Sequence, residues 1–490
     1  MMYALINKIQ HHRVLRELLA NSFWSIVGTF ISKILLFLIW IFVAKILQAK
    51  LYGEFSIIRS TTMLFADFVG SSIGVAGTNY IAKYYQRDNM KVEKLIGIFN
   101  VFSFTFGFVL FIFSWLFADI IAIKMLNRPE LIGYLKVSSI VILVSSINNN
   151  QFGILRGFNQ YKCISKINLL QIVCAFPVYY LCTYFYHLKG AVFAYIFYNV
   201  IICIFAKFEV KKILKENKLN PSLRECMVES KMVLSFILPY IASGLFVAFL
   251  SWYNETRLVS IPNGYVQMGY YSIINVMVLI IIGVAFMVCI PFVSMMSKYQ
   301  KSTNIILLEK LNILLPLQVA LLISIPLMLF PEIISWIYGV SYDIADISRI
   351  SNYMFFFTFL GVYRQGLARF VAVKEKTWLY FVDSVTFALF SVFLFFYFYK
   401  YGVLGFVWGQ TISYILVVLL FFPLYLKYEV MPQHLIKEPF FFILFFFSAF
   451  VFLCSFFDLS FVTKFIICIV CVATNMFWLY KKYISKIINL

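Results

Sequence analysis

The residues able to do chemistry in this 490-residue chain stand where chemistry is expensive. YGEFSIIRSTTMLFADFVGSS (Tyr52–Ser72) is mostly apolar, yet it carries Arg59 and, two turns on, Asp67. Lys33, Lys136 and Asp383 lie inside other apolar runs, Asn275 and Arg364 inside two more, and Glu255 and Arg257 at the end of another. Asn148, Asn149, Asn150 and Gln151 form an amide belt in a further run. A charge at the centre of a bilayer costs about 2.5–3.5 kcal/mol on insertion scales. Each of these residues therefore needs a reason to be there.

Bond-making is a poor reason. The four histidines (His11, His12, His187, His434) are not paired at metal-ligand spacing. Cys468 and Cys471 form a C-x-x-C, but inside an apolar run with no neighbour to activate a thiolate. No phosphate-binding loop, dinucleotide fingerprint or nucleophile elbow is present. No enzyme activity, cofactor or metal is implied. Ion binding fits better. The planar fork of arginine suits phosphate or pyrophosphate, and buried acids can act as counter-ions or hold a coupling proton or sodium ion.

Composition defines the elements that must position these groups. Hydrophobic residues make up 63% of the chain and charged residues 13%, with a mean hydropathy of +0.90. Soluble domains run near 45–50% and about 25%. The chain is therefore expected to be an all-α polytopic membrane protein. Spans of about 20 apolar residues are predicted at 21–44, 55–83, 95–123, 133–155, 161–186, 190–209, 231–253, 266–292, 305–330, 349–370, 376–399, 402–426, 439–457 and 461–480. These runs are too long for the strands of a β-barrel.

The net charge of +20 would suit nucleic acid, but its placement does not. With the N-terminus in the cytoplasm, 29 of the 41 Lys and Arg fall on the inner side and 9 on the outer side. That bias follows the positive-inside rule and puts both termini in the cytoplasm. It also draws the protein to anionic membrane lipids. Lys33, Arg59 and Lys136 remain inside spans. The first span is too long for a signal-peptide core and is expected to stay.

An internal repeat organises the spans. YGEFSII (Tyr52–Ile58) returns as MGYYSII (Met268–Ile274), YFYHLKG (Tyr184–Gly190) as YFYKYG (Tyr397–Gly402), and LRGFN (Leu155–Asn159) as RQGLA (Arg364–Ala368). The order is kept and the offset stays within 209–216 residues. This predicts two pseudo-symmetric six-helix lobes, 1–210 and 231–427, joined by a cytoplasmic linker at 211–230 and followed by two added helices in 428–490. An even number of spans gives both lobes one orientation, as in parallel-repeat transporters. Gly70, Gly74 and Gly77 form a small-residue patch suited to close helix contact.

The first two spans run antiparallel, which sets Lys33 and Asp67 as mid-bilayer neighbours and Arg59 one or two turns below the outer surface. Embedded cations outnumber the embedded acids Asp67 and Asp383. A water-filled cavity between the lobes, lined by Lys33, Arg59, Arg257, Asn275 and Arg364, would take an anionic cargo. Asp67, Glu255 and Asp383 would serve as counter-ions or coupling groups.

Leu19–Ile58 resembles the opening of polysaccharide-exporting flippases of the MOP superfamily, the Wzx type. Their signature R-x-L-x-x-x-x-Y-G-x-[FY] is met here by Lys45, Leu47, Tyr52, Gly53 and Phe55, with lysine in place of arginine. GVAGTNYIAKYY (Gly74–Tyr85), LRGFNQYK (Leu155–Lys162), WYNETRLVSIPNGYVQMGYYSI (Trp252–Ile273) and WIYGVSY (Trp336–Tyr342) are also similar to the family pattern, with Glu255 where the family often has Asp. Lys33 and Arg59 match no family motif.

The resemblance implies transport of undecaprenyl-pyrophosphate-linked oligosaccharide from the cytoplasmic to the outer leaflet of the bacterial plasma membrane. The glycan would be destined for O-antigen (lipopolysaccharide), capsule or a related polymer. Polymerase and chain-length proteins would be partners. The fold would be two six-helix lobes, with the added helices offering a groove for the lipid tail. The rivals are a lipid II-type flippase, a drug exporter of the same superfamily, and a membrane enzyme such as an O-antigen polymerase. The bias toward embedded cations speaks against cationic drugs. The short outer loops speak against the enzyme.

Overall fold

A computed structural model describes residues 13–85, 87–221, 246, 248–298, 305–339, 343–374 and 376–479. The side chains of 13–30, 67–72 and a few others fall outside that description. Within the described residues the regular structure is helical and no strand occurs. In hydrocarbon a spanning segment must satisfy its own backbone, and long apolar runs do so as helices.

The helices follow the predicted spans. They are α1 (13–47), α2 (49–84), α3 (Asn89–Ile120), α4 (132–157, interrupted at Ser139), α5 (161–186), α6 (188–216), α7 (248–259), α8 (Gly264–Lys298), α9 (Ile305–Leu329), α10 (Ile344–Val373), α11 (Thr377–Phe398), α12 (Gly402–Lys427), α13 (Pro439–Cys454) and α14 (Phe461–Leu479). Most of the predicted span 231–253 lies outside the described residues. Eight helical stretches among the described residues are long and apolar enough to cross a membrane, and some of these stretches hold two helices joined by a reversal.

The reversals are abrupt. Between α1 and α2 the chain turns on Gln48 (φ 59°, ψ 175°), and between α5 and α6 on His187 (φ 47°, ψ −124°). In an unbroken helix, residues 40 and 59 would be about 28 Å apart. Instead, the Arg59 guanidinium carbon lies 4.3 Å from the Trp40 ring centroid. Gln171 Nε2 likewise donates to the Tyr198 carbonyl at 3.0 Å across the second reversal.

The repeat reappears in the backbone. Positive φ recurs at 48 and 263 and at 187 and 402, each pair 215 residues apart. It recurs again at 127 and 339, and at 218 and 429, 212 and 211 residues apart. Six of these eight positions are not glycine, although positive φ is costly for L-residues. The two halves therefore share turn geometry as well as short sequence echoes.

Packing divides the chain into two compact units, 2–269 and 270–490. In the first unit α2 lies closely on α4. A Cβ on Gly153 would stand 2.6 Å from the Gly74 carbonyl oxygen, and one on Gly74 would stand 2.8 Å from the Asn149 carbonyl oxygen. The expected small-residue contact is thus formed. Helix α7 joins this unit through Trp252 Nε1, which donates to Thr61 Oγ1 at 2.9 Å, and through Ser260 Oγ, which donates to the Met125 carbonyl at 2.9 Å.

In the second unit α9 packs on α10 and receives α13 and α14. Arg369 Nε donates to Asn312 Oδ1 at 2.6 Å, tying α10 to α9. Lys310 Nζ lies 2.7 Å from Glu438 Oε2, tying the start of α13 to α9. Phe440 stacks on Trp478 at 5.4 Å between α13 and α14.

Candidate functional site

In the first unit Glu255, Tyr52 and Tyr179 lie within reach of the Arg59 charge. The Gln48 reversal lays α1 beside α2, so that Trp40 comes under the guanidinium. Trp40 is itself wedged against Phe55 (5.9 Å between centroids) and Tyr179 of α5 (5.6 Å), which fixes its plane. A cation over an indole face gains about 0.5–2 kcal/mol. A ring face offers no lone pair, so the contact leaves the guanidinium N–H groups without a conventional acceptor there.

Glu255 comes from α7, three residues past the anchored Trp252. The Ser60 hydroxyl lies against its carboxyl, and Arg59 bears on it electrostatically without forming an ion pair. Oε2 of Glu255 is buried with no hydrogen-bond partner. Among the described residues no carboxylate lies within ion-pair distance of Arg59. Four buried hydroxyls in the same unit, those of Tyr52, Ser56, Tyr179 and Thr183, also lack partners. Of these, Tyr52 and Tyr179 feel the Arg59 charge. A guanidinium set over a ring face, with hydroxyl donors nearby, can donate to the oxygens of an anion.

The other sequence-derived residues fall in different settings. Lys33 is exposed on α1, and the Asp67 side chain lies outside the described residues. Arg257 is exposed, with its guanidinium carbon 5.8 Å from the Tyr253 ring centroid. Asn275 is half-buried on α8, in the second unit. Lys136 sits 2.9 Å from Asp119, an acid outside the embedded pair Asp67 and Asp383 that the sequence suggests. Its ammonium is therefore neutralised within its own unit.

Arg364 and Asp383 meet each other in the second unit. Arg364 Nε donates to Asp383 Oδ1 at 3.0 Å, and Nη2 donates to the same oxygen. The Tyr425 hydroxyl of α12 donates to Asp383 Oδ2 at 3.0 Å. The guanidinium carbon lies 4.7 Å from the Phe387 centroid and 5.4 Å from that of Tyr414. Arg364 is 8% exposed and Asp383 1%, so the pair is sealed from solvent.

The amide belt of α4 is spent largely on its neighbours. Asn150 Nδ2 donates to Asn100 Oδ1 of α3 at 2.8 Å, and Asn148 Nδ2 to the Asn199 carbonyl of α6 at 3.1 Å. Glu54, inside the Tyr-Gly-x-Phe signature, pairs with Arg128 at 2.9 Å. No sequence signal linked those two. Among the described residues no three His, Cys, Asp or Glu side chains gather where a metal could bind.

Comparison with solved structures agrees with this architecture. The lipid II flippase MurJ in an inward closed conformation superimposes with a TM-score of 0.70 at 17% identity, covering 94% of this chain and 99% of that one. An inward-facing multidrug resistance MATE family transporter of the MOP superfamily gives 0.64 at 16% identity, covering 82% and 96%. A MOP superfamily transporter from Pyrococcus furiosus gives 0.62 at 16% identity, covering 84% and 95%. At such identities the likeness establishes the fold. A search among curated proteins finds no match. The sequence pattern described as "Polysaccharide biosynthesis protein" matches residues 18–300, more than half of the chain. The resemblance carried by the Tyr-Gly-x-Phe motif and its companions is thus upheld, and the chain belongs to the polysaccharide biosynthesis protein family, on the fold of the MOP superfamily transporters.

Proposed function

We propose that the chain moves undecaprenyl-pyrophosphate-linked oligosaccharide repeat units from the cytoplasmic to the outer leaflet of a bacterial plasma (inner) membrane by alternating access. One observation carries the reading. In a member of this family, Arg59 sits within an apolar helix pair, over the Trp40 ring, with no carboxylate among the described residues at ion-pair distance. A pyrophosphate headgroup would supply the missing anion. Lys33, Arg257, Asn275 and Arg364 would add contacts along the path, and Asp67, Glu255 and Asp383 would couple it to a proton or sodium gradient. No bond is made or broken, so the chain acts as a transporter and not as an enzyme.

The charge bias supports cytoplasmic N- and C-termini. The repeat supports lobes at 1–210 and 231–427, with the linker 211–230 between them and the added helices in 428–490. Polymerase and chain-length proteins of the same O-antigen or capsule pathway would receive the product.

A second reading has an observation of its own. The likeness to the lipid II flippase extends over 94% of the chain, and lipid II is itself a lipid-linked pyrophosphate. A leaflet assay separates the two. The chain, Arg59→Ala and Lys33→Ala are each expressed in a strain lacking its own flippase. The expected result is that wild type exposes lipid-linked oligosaccharide at the outer leaflet, while the variants reach the membrane and fail. Exposure of lipid II instead supports the second reading. Altered glycan length or linkage without exposure favours a polymerase.

A further inference from the structure

The sequence points Arg364 and Asp383 at two separate tasks, contact with an anion and coupling to an ion. The structure binds them to each other. Two N–H groups of one guanidinium converge on Asp383 Oδ1, and the Tyr425 hydroxyl occupies Oδ2. Arg364 cannot offer that edge to a phosphate while Asp383 holds it. Asp383 cannot hold a proton on Oδ1 while two N–H groups point at that oxygen. The tasks exclude one another at a single atom.

We propose that Arg364 and Asp383 form one exchange device, in which a phosphate-bearing headgroup draws the guanidinium away and Asp383 takes up a proton in its place. The inference rests on the lipid-pyrophosphate reading above. The step balances simply. The guanidinium–carboxylate contact is replaced by a guanidinium–phosphate contact, and one O–H bond forms at Asp383 Oδ1 as one bond to hydrogen breaks in the donor, a hydronium ion or a protonated buffer molecule, which is left as its conjugate base. No other bond changes, and each bound headgroup brings in one proton.

Three observations support the exchange. First, a carboxylate in apolar surroundings that loses its cation is driven toward its neutral form. Second, the surroundings offer no substitute charge. The titratable groups facing the pair are Tyr363 of α10, Tyr380 of α11, and Tyr414 and Tyr425 of α12. Among the described residues no second cation or carboxylate bears on Asp383. Third, the contact is incomplete as an ion pair. Both N–H groups share one oxygen, whereas a fork-on-fork pair would use both. Tyr425 remains a donor to Oδ2 after the guanidinium leaves, so the acid keeps a partner in either state. A buried ion pair is weak evidence of a stabilising role, and an ionisable group within the membrane points first to function.

The test titrates farnesyl pyrophosphate into the purified full chain in detergent at about pH 8, in buffers of differing ionisation enthalpy, which reads the protons taken up on binding. Wild type is expected to take up about one proton per ligand, and its affinity to fall up to tenfold per pH unit as pH rises. Asp383→Asn is expected to bind at least as tightly and to take up none. Arg364→Gln paired with Asp383→Asn, which keeps the site neutral should the single variant misfold, is expected to bind at least tenfold more weakly without proton uptake. Binding by wild type with no proton uptake, or unchanged uptake in Asp383→Asn, overturns the device and leaves the transport reading standing. Failure of wild type to bind farnesyl pyrophosphate at all overturns both.

Discussion

Each unit carries an arginine set over an aromatic ring within its apolar helices, and the two are held in opposite ways. Arg59 rests on the flat face of Trp40, with its donor edge unclaimed by any described carboxylate. Arg364 also lies against aromatic rings, but its donor edge is closed on Asp383. An aromatic face steadies a guanidinium without consuming its hydrogen bonds, whereas a carboxylate consumes them and cancels the charge. On the proposed reading, similar residues give a site ready for an anion in one unit and a site that must first let go in the other.

The comparison breaks most readily at the closed site. Arg364→Ala or Asp383→Ala leaves a buried charge without its partner, which costs about 3–5 kcal/mol. Thermal unfolding in detergent should show that loss, and Arg364→Gln with Asp383→Asn should recover most of it. If the single variants unfold like wild type, the pair is not sealed as described. At the open site the balance is reversed. Arg59→Ala should lose at least tenfold in outer-leaflet exposure of lipid-linked oligosaccharide while costing no more than about 1–2 kcal/mol of stability. A large loss of stability there would make Arg59 a structural residue.

Trp40 sharpens the contrast further. Trp40→Phe keeps a ring but weakens the cation contact, and should reduce transport two- to fivefold, an effect of about 0.4–1 kcal/mol. Trp40→Leu should reduce it further, and equal activity in both would remove the aromatic face from the argument. The smallest effect on stability is expected from Lys33→Ala. Its side chain is exposed, so unfolding should be nearly unchanged. Any loss in the leaflet assay would then place Lys33 with Arg59 on the path of the headgroup.

Much of the fold was legible because lipid imposes length and periodicity. The apolar runs gave the helices, and the echo of Tyr52–Ile58 in Met268–Ile274 anticipated the recurring positive-φ turns. Charge partners were less legible. Lys136 and Asp119 face each other across the turn between α3 and α4, and a reading of apolar runs passes over an acid so near a helix end. Arg364 and Asp383 sit on successive helices whose relative rotation follows from packing, which one sequence does not reveal. Nothing in the sequence marks Trp40, because only the reversal at Gln48 fixes its register against Arg59.

That reversal has a consequence for how the protein is made. Helices joined by a single residue cannot insert into the bilayer one after the other with a loop waiting outside. α1 and α2 must cross together as a hairpin, and so must α5 and α6. Arg59 would then travel into the membrane already against Trp40, so the cost of carrying its charge inward is met during biosynthesis by the adjoining helix. A longer linker inserted at Gln48 would uncouple the insertion of α1 from that of α2 and leave Arg59 to cross bare.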